Sequence, residues 1–156
     1  MKYTRLTKEQ FEELHQEFAR FLASQSITKD EWELLKNEQP HVAEEELDVF
    51  SDLIWEGALA KVMYLENLSP QQWFLFKLEK EHMSLIVVKA LNSIDLTSSM
   101  GMKWLEKHLD SKEVELFKSQ KVYATNRNLE VFQLIQKGAV ISNGHLFESL
   151  ANYLNL

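Results

Sequence analysis

The chain has 156 residues, 45% of them hydrophobic and 26% charged, with a net charge of −7 and no cysteine. That length suits one domain with a real core, and four glycines and two prolines leave little room for long linkers. Lack of cysteine excludes disulfides, thiolate metal sites and a cysteine nucleophile, and no apolar run is long enough for a membrane span.

Charge is unevenly spread. Residues 1–68 carry 15 Asp and Glu against 7 Lys and Arg, whereas residues 69–156 carry 9 against 10. An acidic half repels phosphate backbones, so the expected partner is a protein or a second copy of the chain, with no nucleic acid and no membrane. Met1-Lys2-Tyr3-Thr4-Arg5 leads into a charged helix rather than an apolar leader, which points to a cytoplasmic protein.

Two helix starts are nearly duplicated, Thr7-Lys8-Glu9-Gln10 and Thr28-Lys29-Asp30-Glu31. In each, the Thr hydroxyl can accept the amide three residues on, and the Gln or Glu side chain can reach back to the Thr amide. Leu6 and Ile27, just ahead, are placed to clamp onto Phe11 and Trp32. The first start opens a helix over 7–23, with Phe11, Leu14, Phe18, Phe21 and Leu22 at helical spacing. The second opens a helix over about 28–38, carrying Trp32 and Leu35 inward.

Pro40 suits the first turn of a third helix, reaching about residue 62. Its apolar stripe is Leu47, Phe50, Ile54, Ala58 and Val62, widened by Val49 and Leu53. A second stripe, Glu45, Asp48, Asp52 and Glu56, is wholly acidic, and Trp55 lies beside it. An aromatic anchor among carboxylates is a candidate surface for a basic partner, so these five residues are the candidate partner-binding site. The same carboxylates could gather a divalent cation, but a helix face lacks the turn that wraps ligands around an ion.

Trp73–Leu78 and Met83–Val88 are aromatic and β-branched runs parted by the polar Glu79-Lys80-Glu81-His82, which predicts a β-hairpin. Leu68-Ser69-Pro70-Gln71-Gln72 also fits a helix start over 70–80, but the alternation of Phe74, Phe76 and Leu78 favours strand. Two strands alone are marginal, so a third is expected from Tyr64–Leu68 or Val114–Tyr123. Further helices are predicted after Thr97 to about His108, from about 128 to 137 with Gly138 at the C-terminal cap, and over about 143–154 from a Ser142 cap.

The fold class expected is α+β, about five to six helices packed around a small antiparallel sheet centred on a hairpin at 73–89. Residues 1–156 are expected to form a single globular domain, with an acidic helical part over 1–62 and an α+β part over 63–156.

Chemistry is sparse. Glu-x-x-His occurs three times, at Glu12/His15, Glu38/His41 and Glu79/His82, a spacing that places both side chains on one helix face as in di-iron bundles. Glu38/His41 straddles Pro40 and Glu79/His82 lies in the hairpin turn, so Glu12/His15 alone is helical. No nucleophile elbow or phosphate loop is present. The Gly-centred turn at 134–144 resembles a helix-turn-helix, but the segment after it holds no Lys or Arg. The leading expectation is a non-enzymatic cytoplasmic protein-interaction domain, an adaptor or homo-oligomer, with no cofactor. The alternative is a metal-dependent enzyme using Glu12 and His15 with acidic residues of the 40–62 helix.

Over nearly its full length the chain resembles a family of small, acidic bacterial cytoplasmic proteins of uncharacterised function. The likeness rests on Met1–Thr7 running into Phe11–Phe18, and on Glu46-Leu47-Asp48-Val49-Phe50-Ser51-Asp52-Leu53-Ile54-Trp55-Glu56-Gly57. It implies a freestanding domain and brings no activity, cofactor or catalytic residue.

Overall fold

The computed structural model describes residues 1–156. The fold is α+β, with seven helices and one five-stranded antiparallel sheet. The chain divides into two compact units, Met1–Ala60 and Lys61–Leu156. No helix is long and apolar enough to cross a membrane.

The first unit is all helical: α1 (Lys8–Glu13), α2 (His15–Ser24), α3 (Lys29–Glu38) and α4 (Pro40–Ala60). Both capping boxes form in full, Thr7 with Gln10 and Thr28 with Glu31. The helix expected over 7–23 is broken at Leu14, whose φ of −100° and ψ of 22° leave the helical region. His15 Nδ1 lies 3.0 Å from the Glu12 carbonyl oxygen and occupies an acceptor the helical ladder would otherwise use. A side chain inserted into the ladder is a known cause of such breaks. This division raises the helix count above five to six.

Aromatic rings fill this unit's core. Phe18 meets Trp32 edge-on at 5.2 Å and Phe50 at 5.0 Å, and Phe11 and Phe21 also lie against Phe50. The buried face of α4 is turned from the expected stripe. It includes Ala43, Phe50, Ser51 and Leu59, while Val49 and Leu53 are more than half exposed. Ser51, fully buried, explains the turn: its hydroxyl donates to the Leu47 carbonyl and accepts the Leu6 amide, so the polar side chain is satisfied inside.

The second unit is built on the sheet, in the order β4-β3-β2-β1-β5. Its strands are β1 (Tyr64–Ser69), β2 (Gln72–Leu78), β3 (His82–Ala90), β4 (Val114–Val122) and β5 (Val140–Ile141). The hairpin forms with Trp73 opposite Val88 and Leu78 opposite Met83. Both candidate third strands are used, β1 beside β2 and β4 beside β3.

On one sheet face Trp73, Leu75, Ile86 and Val88 join Leu105 of α5 (Ser99–His108) and Phe147 and Leu150 of α7 (His145–Leu154) in a single core. On the other face, Phe76, Met83 and Leu85 line a cavity with Glu130 and Leu134 of α6 (Arg127–Gln136). Burial on both faces is why β2 is apolar at consecutive positions.

The cap of α7 is not Ser142. Ile141 pairs with Leu65 in β5, which moves the cap to Gly144 at φ 84°. Ser142 and Asn143 instead accept the amides of Gly144 and His145.

Candidate functional site

The acidic face of α4 holds an extended segment of its own unit. Residues 48, 51, 52, 55 and 56 recur at helical spacing and share one face. Along it runs the arm Lys2–Leu6, in the direction opposite to the helix. Asp52 accepts two consecutive main-chain amides, Lys2 N–H at 2.6 Å and Tyr3 N–H at 2.8 Å. The Tyr3 hydroxyl donates to Glu56, and Lys2 Nζ lies 3.1 Å from the same carboxylate. Arg5 Nε donates to Asp48 at 2.6 Å. Leu6, buried, closes the arm on Ser51.

Trp55 is half-buried, and its ring lies 6.5 Å from that of Tyr3. Lys2 Nζ in turn sits 5.3 Å above the Tyr3 ring. The arrangement reads an extended peptide in two ways: Asp52 takes its backbone, while Asp48, Glu56 and Trp55 take basic and aromatic side chains.

Electrostatics follow the geometry. The hydrogen bond from Arg5 holds the Asp48 carboxyl below the ordinary carboxylate range. Asp48, with a smaller contribution from Glu44, raises the Arg5 guanidinium. Burial and the bond to Glu56 push the Tyr3 phenol up, and the Glu56 bond raises the Lys2 ammonium.

Of the five residues the sequence singled out, Asp48, Asp52, Trp55 and Glu56 converge on the arm. Glu45 is exposed and makes no hydrogen bond or ion pair. Ser51, Lys2, Tyr3 and Arg5 were missed. The signal for them was the pair of basic residues flanking Tyr3 just ahead of the first cap, spaced to meet an acidic helix.

Glu12 and His15 are both exposed, as are Glu38 and His41, whereas Glu79 and His82 close the β2–β3 turn through a 3.0 Å main-chain bond. No three His, Asp or Glu side chains are placed to share an ion.

A second polar cluster lies in the other unit. Glu148 accepts from Tyr64 at 2.6 Å and pairs with Lys77 at 2.8 Å, and these bonds hold its carboxyl low. Lys77 and Glu148 line an open groove of about 480 Å³ with Glu79, Lys118 and Gln120.

Residues 1–155 match a family of unknown function (DUF6495), and the chain belongs to that family. No curated protein and no solved structure matches the chain.

Proposed function

We propose that this member of the family is a cytoplasmic protein-interaction domain whose acidic α4 face recognises an extended basic segment, acting through contact rather than catalysis. The observation that carries the reading is the arm itself: two consecutive amides on Asp52, flanked by Arg5 on Asp48 and by Lys2 and Tyr3 on Glu56. The arm acts as a ligand in cis and defines the partner's chemistry. A partner would present a basic residue, an aromatic, a spacer and a second basic residue in extended form, and would compete with the arm for the carboxylates. Because backbone amides supply part of the recognition, the partner's sequence is constrained at few positions.

The test uses full-length protein whose arm is disabled by Lys2→Pro, Tyr3→Pro and Arg5→Ala together, which removes both amides from Asp52 along with the side chains on Glu56 and Asp48. A fluorescent peptide with the sequence of residues 1–7 is titrated against it by anisotropy. The expected result is saturable binding that weakens with salt and is lost in an added Asp52→Ala change. No binding, or binding indifferent to Asp52→Ala, would refute the proposal.

A further inference from the structure

The two edges of the sheet end differently. β5 is two residues long, whereas β4 runs for nine. The direction of β4's main-chain groups follows from its neighbours. Ala90 N–H donates to Gln71 O in the β2 direction, and Leu91 N–H donates to Glu113 O in the β4 direction. Groups on an antiparallel strand alternate sides, so odd-numbered β3 residues bond β4. The register pairs Lys89 with Glu115 and Leu85 with Ser119, so odd-numbered β4 residues bond back.

The N–H and C=O groups of Leu116, Lys118, Gln120 and Val122 therefore point outward, and none has a partner within the chain. Phe117 and Val122 are 54% and 75% exposed on this strand. A long edge of this kind is a template for another strand.

We propose that β4 pairs antiparallel with β4 of a second copy of the chain, about a two-fold axis at Lys118, joining the two sheets into one. This proposal does not rest on the reading of the α4 face. Head-to-tail pairing would place β4 on β5, which offers only two residues, whereas the two-fold arrangement engages the outward groups from Leu116 to Val122, the Val114 amide being taken by Ser111 O, and closes on itself.

Paired side chains must share a sheet face, and the Lys118 centre satisfies this along the full strand. It sets Val114 against Val122, Glu115 against Lys121, Leu116 against Gln120 and Phe117 against Ser119, each twice. Two opposite-charge contacts and two apolar pairs result, with Lys121 shared between Glu115 of the other copy and Glu130 of its own, 2.7 Å away. Lys118 meets its own copy, the one unfavourable contact. The groove it lines also holds Glu79 and Glu148, toward which its ammonium can turn.

The experiment is sedimentation of the full-length protein up to about 100 µM, where mass action favours any such dimer. A dimer is expected. Lys118→Pro removes only an outward amide, which an edge strand tolerates, and should give a monomer with unchanged circular dichroism. Glu115→Lys keeps every main-chain group and sets lysine against Lys121, so it should weaken the dimer about tenfold or more. A wild-type monomer at the highest concentration overturns the proposal. So does a dimer that Glu115→Lys leaves unweakened.

Discussion

Gly101→Ala sets two effects of opposite sign against each other. Gly101 lies inside α5, where alanine normally stabilises by about 1 kcal/mol through backbone entropy. A Cβ there would stand 1.7 Å from the Asp95 carbonyl oxygen and 3.1 Å from Leu96 Cα. Both are main-chain atoms, so no side chain can swing aside.

The loop has little freedom to retreat. Leu96 N–H donates to Pro70 O at 2.7 Å, Ser98 Oγ donates to Asp95 O at 2.7 Å, and Leu96 is fully buried in the core with Trp73. Overpacking costs about 1–3 kcal/mol, and disturbing a buried hydrogen bond adds roughly 1 kcal/mol. After the propensity gain is subtracted, the variant should lose about 2 kcal/mol. In urea, with a slope of about 2 kcal/mol/M, the midpoint should fall by about 1 M. The assay is urea unfolding followed by circular dichroism. A variant as stable as the parent, or more so, would refute the close approach of α5 to the 95–96 turn.

Three further changes test other contacts. Ser51→Ala strands the buried Leu6 amide and should cost about 1–3 kcal/mol in urea unfolding, and a neutral result would mean the arm is not anchored there. Arg127 donates to the carbonyls of Val62, Leu78 and Glu79, so Arg127→Lys, which loses the planar fork, should lower stability by about 1–3 kcal/mol by the same measurement. Asp48 has a depressed folded pKa, so its contribution is complete above the ordinary carboxylate value of about 4 and disappears as pH falls through the folded value. Amide exchange protection at Leu6, next to Arg5 and held on Ser51, corrected for intrinsic rates, should therefore weaken below about pH 4, not strengthen.

Local signals made much of this fold legible. The two capping boxes need only residues within one turn, and both form. The hairpin was marked by alternation in 74–78 and a polar break of turn length, and it pairs with that turn. Features set by distant contacts were not legible. Ile141 is a strand residue only because Leu65 is beside it, and this displaced the cap of α7. The break at Leu14 is local, with the His15 ring on the Glu12 carbonyl beside it, but apolar periodicity runs through it unchanged and carries no sign of it. The acidic stripe was visible as a pattern, but its occupant lay about fifty residues away, in a lead-in too short to form an element of its own. Gly101 shows the same divide: propensity counts it as a cost, and its reason lies in the backbone of another segment.

The central claim is that the α4 face reads an extended basic peptide. The most direct measurement is a titration of isotope-labelled, arm-disabled protein with the residue 1–7 peptide, mapped by amide and indole chemical shifts. The account predicts changes centred on Asp48, Ser51, Asp52, Trp55 and Glu56, with the Trp55 indole among the largest. Shifts centred on the sheet, or none at saturating peptide, would contradict it.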